Sequence, residues 1–315
     1  MAKLTLMIGL PGSGKSTYVN KNYEFRRIFF HNVAILSSDR VRKELYLDEN
    51  DQSHNEEVFQ YIKETAVNKL RAGIDVVIDA TNIRRKDRMN LVNFIDSKIG
   101  YFYEDHCVEY IVIATPFYKC LENNAQRARQ VPKEVIERMY KHFEFPTPTE
   151  IVNYHSESIK IVYPFGVNKN GYPAYKPYRL LMGLAHDNPH HRYSIGQHMH
   201  HATLIMNYMT EDKVMLKAAE IHDIGKAFCK IYEKDNPEIA HYNCHANVGA
   251  YDAMFYGKVC GFKLNELIEL CTLVQYHMRI HDCETPAAID RLLAIVGMRM
   301  YCKLRMLQIA DKEAH

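Results

Sequence analysis

The chain has 315 residues, about twice the usual size of one domain, so we expect two domains that each bury a core. Apolar residues make up 47% and charged residues 25% of the chain, and no apolar run approaches the roughly 20 residues that a transmembrane helix needs. A net charge of +2 argues against a large nonspecific nucleic-acid surface but allows a small basic groove. We therefore predict a globular protein that does not span a membrane.

The first strand-like run, Lys3–Ile8, leads directly into a glycine-rich loop. This arrangement leaves no room for a signal peptide, and we expect a cytoplasmic protein. The eight cysteines are scattered and none forms a CxxC pair, so neither a zinc knuckle nor a disulfide framework is indicated.

In the first half of the chain, short β-branched runs alternate with helical stretches. The runs are Lys3–Ile8, Val33–Ser37, Asp75–Asp79, Tyr110–Ala114 and Ile159–Tyr163. Such alternation is typical of a parallel sheet covered by helices on both faces. Residues 1–163 are therefore predicted to form an α/β domain.

The second half has a different pattern, which begins after a segment rich in Pro, Gly and Asn at residues 164–177. We interpret this segment as a linker. Helical periodicity follows it, at His198–Tyr208, Val214–His222, Leu264–His277 and Ala287–Met298. Residues 178–315 are therefore predicted to form an all-α domain, which also holds twelve of the 17 histidines.

Residues 9–16 read Gly-Leu-Pro-Gly-Ser-Gly-Lys-Ser and match the phosphate-binding pattern G-x-x-x-x-G-K-[ST] between a strand and a helix. In such a loop Lys15 reaches the β- and γ-phosphates and Ser16 ligates Mg²⁺. We therefore expect ATP or another nucleoside triphosphate, with Mg²⁺. The nucleotide-binding residues are predicted to include Gly9, Gly12, Ser13, Gly14, Lys15, Ser16 and Thr17.

Asp39 follows the second strand and should begin a helix, which would place Arg42 one turn further on the same face. The carboxylate could take a proton from an acceptor hydroxyl, and the arginine could bind a phosphate of the acceptor. An N-terminal helix cap with a solvated arginine is the alternative. Asp79 ends the third strand, where a carboxylate can hold Mg²⁺ or its water.

Arg127 and Arg129 precede Val131-Pro132 and are suitable for a lid that neutralises charge on the transferred phosphoryl group, although either could be surface charge. We assign Arg127 to the catalytic set and Arg129 to the nucleotide-binding set. The basic segment 84–88 could line a nucleic-acid groove or form a solvated helix face.

The stretches GLPGSGKST, SSDRVR, VVIDATN and Arg-x-Arg-x-Val-Pro resemble the kinase module of phage and bacterial polynucleotide 5′-kinases, over roughly residues 1–163. The resemblance implies a 5′-hydroxyl acceptor with Asp39 as the general base. It also implies that Arg42 binds the phosphate next to that hydroxyl, and that Arg127 or Arg129 is the lid arginine.

In the helical half, His222 and Asp223 are adjacent, and this pair can begin a transition-metal site because Asp can bridge two cations. His198 lies upstream, His245 and His277 lie downstream, and Asp311 follows a late apolar run. Helical bundles build dinuclear sites from ligands on several helices in this way. We interpret the other histidines, at 200, 201, 241 and 281, as structural or solvated, and His190 and His191 as loop or entrance residues.

This constellation resembles the HD phosphohydrolase superfamily, over about residues 178–315. The H…HD…D pattern would be met by His198, His222, Asp223 and Asp311. The resemblance implies a two-metal site that includes His245 and His277, with Lys226 as a phosphate contact. The expected metal is Mn²⁺, with Fe, Ni, Co or Zn as alternatives.

Together the two modules predict an enzyme that heals nucleic-acid ends, with RNA preferred over DNA. The kinase would phosphorylate a 5′-hydroxyl, and the HD module would process a 3′-phosphate or 2′,3′-cyclic phosphate. The alternatives are a small-molecule or nucleotide kinase joined to a nucleotide phosphohydrolase, and a nucleotide-sensing regulator. The sequence leaves a homodimer open.

Overall fold

The computed structural model of the protein describes residues 2–49, 51–99, 107–152, 159–188, 192–236 and 238–314. The chain folds as two compact units. The first comprises residues 1–133 and 151–165, and the second comprises residues 134–150 and 166–315. The sequence analysis placed residues 1–163 in the first domain, whereas this division ends the first unit at residue 165 and assigns residues 134–150 to the second unit.

The first unit is built on five parallel strands in the order β2-β3-β1-β4-β5. The strands are β1 (Lys3–Ile8), β2 (Val33–Ser37), β3 (Asp75–Asp79), β4 (Cys107–Ile113) and β5 (Ile159–Val162). The central strand β1 is buried from Leu4 to Ile8, as expected for a parallel strand with both faces covered. The parallel sheet predicted from the β-branched runs is confirmed.

Helices connect these strands. They are α1 (Lys15–Phe25), α2 (Ser38–Tyr46), α3 (Asn55–Arg71), α4 (Arg85–Ile99), α5 (Phe117–Ala125), α6 (Lys133–Lys141) and α7 (Pro148–Val152), with a π-helical segment at Arg26–Phe30. In the sheet, β1 pairs with β3 on one side and β4 on the other, so the loop after β1 lies where the strand order reverses. Ligands of open α/β sheets bind at this switch point, beyond the carboxyl ends of the strands.

The second unit is mainly helical. Its helices are α8 (Ile195–Met209), α9 (Lys213–Ile221), α10 (Lys226–Cys229), α11 (His245–Val259), α12 (Leu264–Tyr276), α13 (Pro286–Val296) and α14 (Met298–Glu313), after a 3₁₀ turn at Pro177–Leu181. Helix α11 packs along α12, and α8 packs against both α9 and α14. A two-stranded antiparallel hairpin, β6 (Ile231–Tyr232) with β7 (Ala240–His241), departs from the predicted all-α domain.

Polar residues at the helix starts explain several boundaries. Ser194 and Gln197 form a reciprocal capping box at the start of α8. Asp212 caps α9 through its carboxylate, and Thr285 caps α13 with Pro286 at the first helical position. No helix in the described part of the chain is long and apolar enough to cross a bilayer.

Candidate functional site

The predicted phosphate-binding loop lies between β1 and α1. Its start is anchored by the backbone N–H of Gly9, which donates to the carbonyl of Thr81 at 3.1 Å. Gly12 has a φ of +78°, and a Cβ atom there would lie 2.2 Å from the carbonyl oxygen of Cys120. Gly14 has a φ of +97° at the N-terminus of α1. Glycine is required at these two positions by the backbone conformation and, at Gly12, by the close approach of α5.

Lys15 is the buried cation of the loop. Its ammonium group donates to the carbonyls of Gly9 at 3.0 Å and Leu10 at 2.9 Å. Burial lowers the pKa of this ammonium below its usual value, although the negative charge of Asp79 acts to raise it. A cation held in a loop of converging N–H groups is suited to binding phosphate oxygens.

A pocket of about 260 Å³ opens over the loop. Its lining residues are Gly12, Gly14, Lys15, Ser16, Thr17, Asn123, Arg127 and Phe165. Sequence analysis missed Asn123 and Phe165. Asn123 supports the loop directly, because its side-chain amide donates to the carbonyl of Gly12 at 2.9 Å. No sequence motif marks Asn123, since it meets the loop only through the packing of α5.

Ser16 and Asp79 lie together as a candidate Mg²⁺ site. The Ser16 hydroxyl donates to Oδ2 of Asp79 at 2.8 Å, which joins the start of α1 to the end of β3. A hydroxyl and a carboxylate are the oxygen ligands that P-loop proteins use for Mg²⁺. These two residues therefore fit the cation that the sequence predicts.

The predicted general base, Asp39, lies on α2 between two arginines. Arg42, one turn further along α2, approaches Oδ1 at 3.2 Å, and Arg129 approaches Oδ2 at 2.6 Å. Arg42 also donates to Oδ1 of Asn55 at 2.6 Å. Its Nε atom is buried and has no hydrogen-bond partner among the described residues. A buried donor of this kind is suited to an anion, and the burial of Arg42 contradicts the alternative of a solvated arginine.

The two candidate lid arginines are separated in space. Arg127 lines the pocket over the phosphate-binding loop. Arg129 instead contacts the carboxylate of Asp39. Arg127 therefore lies where the predicted lid arginine would act, and Arg129 is not among the residues that line this pocket. The loop that carries both is closed by Asn124, whose side chain exchanges two hydrogen bonds with the backbone of Val131, at 2.8 and 3.0 Å.

The basic segment 84–88 does not act as one groove wall. Arg88 is fully buried and donates to the carbonyl of Asn82 at 2.9 Å, so this arginine belongs to the core of the first unit. Asn82 itself ties β3 to β1 by donating to the carbonyl of Met7 at 2.8 Å. Arg84 and Lys86 are exposed.

In the second unit, the six predicted metal ligands come together. Two donor groups can each hold an ion, with ligand atoms within 4.8 Å of one another: His198, His222 and Asp223 form the first, and Asp223, His245 and His277 form the second. Asp311 joins the first group, since its Oδ1 lies 2.8 Å from Nε2 of His198.

Asp223 connects the two groups. Its Oδ1 lies 3.2 Å from Nε2 of His245 and 3.5 Å from Nε2 of His277. Its Oδ2 lies 3.6 Å from Nε2 of both His198 and His222. Each carboxylate oxygen therefore faces one pair of imidazoles, which is the arrangement of a carboxylate that bridges two cations.

The imidazole rings are held from behind by backbone carbonyls. Nδ1 of His222 lies 3.0 Å from the carbonyl oxygen of Ala219. The corresponding distances are 2.8 Å from His245 to Tyr242 and 2.7 Å from His277 to Val274. An Nδ1–H that donates to a carbonyl leaves the Nε2 lone pair for a metal. The donor set thus fits two divalent transition metals.

The pKa shifts of Asp223 and His277 agree with this interpretation, whereas the pKa of His222 is raised, because its burial is outweighed by the charges of Asp223 and Asp311. Burial disfavours the charged form of Asp223, yet Lys226 and the neighbouring histidines hold its pKa well below its usual range. Burial also lowers the pKa of His277 to about 4. A charged carboxylate and a neutral imidazole are the forms that bind metals.

Lys226 lies at the edge of the centre, 2.6 Å from Oδ2 of Asp223. His186 is a residue that sequence analysis gave no role, and its Nε2 lies 3.3 Å from the Lys226 ammonium. Burial, followed by the charge of Lys226, lowers the pKa of His186 to about 4. His186 was missed because it lies in a loop, in no motif.

Other histidine predictions have mixed outcomes. The His222-Asp223 pair lies directly after the end of α9 at Ile221, and not within the helix as predicted. His241 pairs with Glu233, and His200 stacks on Tyr178. His281 contacts the ligand Asp311 at 2.9 Å. His190 and His191 lie outside the described residues.

The match to a family model lies in the first half of the chain. Residues 4–146 match the family model described as an AAA domain. The L-seryl-tRNA(Sec) kinase of Methanococcus maripaludis is 30% identical over 154 residues, which are 45% of this chain and 53% of that kinase. The chain thus spans about half the length of this curated relative. The glycine-rich loop and most of the parallel sheet therefore lie in the part of the chain that is similar to this family.

Solved structures with partial similarity include two of the Pnkp1/Rnl/Hen1 complex, the first described as an RNA repair complex. The first is 21% identical, with a TM-score of 0.36 over 44% of this chain and 42% of that one. The second is 22% identical, with a TM-score of 0.32 over 42% and 41%. A sugar kinase from Janibacter sp. HTCC2649 is 13% identical, with a TM-score of 0.34 over 52% and 86%.

Proposed function

We propose that the protein is a bifunctional nucleic-acid end-healing enzyme that acts on RNA. The first unit phosphorylates a 5′-hydroxyl end with ATP. The second unit removes a 3′-phosphate or opens a 2′,3′-cyclic phosphate. The observation that carries this proposal is the presence, in one chain, of a phosphate-binding loop with an arginine-flanked aspartate and of two metal-donor groups that share Asp223, with Asp311 beside the first group.

The kinase step follows from the positions of three side chains. Asp39 accepts the proton of the 5′-hydroxyl, whose oxygen forms a bond to the γ-phosphorus while the bond to the β–γ bridging oxygen breaks. ADP leaves with that oxygen. Lys15 and Arg127, which line the same pocket, neutralise the charge on the transferred group. Mg²⁺ held by Ser16 and Asp79 supplies further charge neutralisation.

Binding of the acceptor uses the other arginines. Arg42 is held by Asp39 and Asn55 and keeps a buried Nε donor for the phosphate next to the 5′-hydroxyl. Such a phosphate is present in an oligonucleotide and absent from a nucleoside. Arg129 binds Asp39 from the other side and so fixes the direction of the carboxylate.

The second activity is a hydrolysis. Divalent cations at the donor set supply Lewis-acid polarisation of a phosphoryl oxygen. Water adds to the phosphorus, one P–O ester bond breaks, and the freed ribose oxygen takes a proton. Lys226 contributes a buried positive charge beside Asp223 for the phosphate, and the backbone-held histidines keep the donor set rigid.

The similarity to the seryl-tRNA(Sec) kinase favours a second candidate for the first unit, a kinase for a hydroxyl of an aminoacyl-tRNA. A small-molecule kinase and a nucleotide sensor are further alternatives for this type of domain. The candidates differ in the acceptor. Only the end-healing function requires the acceptor hydroxyl to lie at the 5′ end of a polynucleotide.

The test uses a short RNA with a 5′-hydroxyl and a 2′,3′-cyclic phosphate, incubated with Mg-ATP and Mn²⁺, while both ends are analysed. We expect wild type to modify both ends, Lys15→Ala to lose only 5′ phosphorylation, and Asp223→Ala to lose only 3′ processing. A serine-charged tRNA is the parallel acceptor. Phosphate transfer to the tRNA and not to the RNA 5′ end would favour the second candidate, and no change at either RNA end would refute the end-healing function.

A further inference from the structure

His281 makes a contact that the metal-ligand pattern does not include. It lies four residues after His277, in the turn that follows α12, and its Nε2 lies 2.9 Å from Oδ2 of Asp311. The other oxygen of Asp311, Oδ1, lies 2.8 Å from Nε2 of His198 and 3.5 Å from Nε2 of His222. The two oxygens of this carboxylate therefore face different groups, and only Oδ1 faces the donor set.

A second contact fixes the same turn to the helix of Asp311. Gln308 lies three residues before Asp311 on α14, and its side-chain amide donates to the carbonyl of Ile280 at 3.1 Å. Arg305 in turn donates to the side-chain oxygen of Gln308 at 2.7 Å. The ring of His281 and the carbonyl that precedes it therefore both contact one face of α14. Two contacts of this kind restrict the position of the ring far more than one would.

We propose that His281 is a positioning residue, which holds Asp311 so that Oδ1 alone is presented to a divalent cation. The inference rests on the metal centre of the proposed function. A flexible carboxylate side chain loses conformational entropy when it is ordered on a metal. A hydrogen bond to its second oxygen orders the carboxylate before the metal binds and so removes this entropic cost from binding. Neither His281 nor Asp311 belongs to the two converging donor groups in the described part of the chain, and Asp311 reaches the first group through the contact of its Oδ1 with His198.

The inference predicts unequal effects on the two ions. Asp311 lies beside His198 and His222. Among the described residues, the carboxylate that lies beside His245 and His277 is that of Asp223. Loss of the His281 contact should therefore weaken the binding of one ion and leave the affinity for the other ion unchanged. Loss of an outer hydrogen bond to a metal ligand costs about 10- to 100-fold in metal affinity.

The experiment is a calorimetric titration of the metal-free full-length protein with Mn²⁺. The variants are His281→Leu, which removes the donor, and His281→Gln, whose amide can reach the same oxygen. His241→Leu is the matched control, since His241 is a more exposed histidine of the same unit that pairs with Glu233. We expect about 10- to 100-fold weaker binding of one of two Mn²⁺ ions for His281→Leu. The Mn²⁺ affinity of His281→Gln should stay within about 3-fold of the wild-type value, and that of His241→Leu should equal the wild-type value.

Three results would overturn the inference. They are unchanged binding of both ions by His281→Leu, a loss of affinity in His281→Gln as large as in His281→Leu, and loss of both ions together with a lower melting temperature of the metal-free protein. The second result would identify His281 as a ligand, and the third would identify a folding role. Failure of the proposed metal centre would give a different result. Wild type and Asp223→Ala would then bind the same amount of Mn²⁺.

Discussion

Asp39 illustrates how the local environment defines the role of a single side chain. A carboxylate after a strand is common, and the sequence alone allowed a helix cap as its role. In the structure, Arg42 and Arg129 hold its two oxygens from opposite sides, at 3.2 and 2.6 Å. Two ion pairs fix the direction of the carboxylate, which the proposed general base toward a bound hydroxyl would need.

At this scale the first prediction concerns Arg42. Arg42→Ala should raise the KM for a 5′-hydroxyl RNA about 10- to 100-fold, because a charge-assisted hydrogen bond to phosphate contributes about 1.5–3 kcal/mol. The KM for ATP should stay the same, since Arg42 is not among the residues that line the pocket over the phosphate-binding loop. Steady-state kinetics with each substrate varied in turn would measure both values.

Arg40 is the matched control for this prediction, since it lies on the same helix but is exposed. Arg40→Ala should change neither KM by more than about 2-fold, as is usual for a solvated surface charge. An equal rise in the KM for ATP and for RNA in Arg42→Ala would contradict a specific acceptor role.

Among the elements, α11 connects the candidate metal centre to residues 134–150 and to the segment that was predicted as a linker. It begins with the ligand His245 and carries Asp252 two turns later. Tyr140 of α6 and Tyr172 of the expected linker both donate to Oδ1 of Asp252, at 3.0 and 3.5 Å. The linker and residues 134–150 are therefore tied to the helix bundle by hydrogen bonds that the sequence pattern does not reveal.

The second prediction is a pH dependence of stability from Asp252. Burial raises its pKa to about 7, although the two tyrosine hydrogen bonds oppose this rise. Between its ordinary pKa of 3.8 and about 7 the folded state binds a proton that the unfolded state has lost. The contribution of Asp252 to the free energy of unfolding should therefore be fully present below pH 3.8 and decline as the pH rises to about 7.

The measurement is urea unfolding of wild type and Asp252→Asn from pH 5 to pH 8. The asparagine variant should lack this decline and should gain on the order of 2 kcal/mol relative to wild type between these two pH values. A matched control is Asp235→Asn in the same unit, for which we expect the pH profile of wild type. Parallel profiles for wild type and Asp252→Asn would contradict the raised pKa of this carboxyl.

For the whole molecule, the two compact units carry separate sets of functional residues. Lys15, Asp39 and Asp79 belong to the first unit, and the six metal donors belong to the second. A ligand that binds only the folded state raises stability by mass action, by about 2.7 kcal/mol at 100 times its dissociation constant. Each ligand should therefore stabilise one unit independently of the other.

The third prediction follows from this separation. In thermal unfolding of the full-length protein, Mn²⁺ should raise the melting temperature of wild type and Lys15→Ala but not of Asp223→Ala. A non-hydrolysable ATP analogue with Mg²⁺ should raise the melting temperature of wild type and of Asp223→Ala but not the melting temperature of Lys15→Ala. Loss of both shifts in one variant would contradict separate sites.

The sequence by itself determined the elements and the chemistry of the short motifs. The five strands were predicted within three residues of their observed ends, because buried parallel strands are continuous apolar runs. The phosphate-binding loop could be predicted because its function requires glycine and lysine at fixed neighbouring positions. The six candidate metal donors could be named because histidine and aspartate are rare within and next to apolar helical runs.

Only the tertiary structure decided which side chains meet. Asp311 and His198 are 113 positions apart, and their contact depends on the packing of α14 against α8. The sequence pattern did not reveal the positions of Arg127 and Arg129, the burial of Arg88 or the contact of His281 with Asp311. The physical reason is that motifs record neighbours along the chain, whereas burial and hydrogen bonding depend on residues that folding brings from far apart.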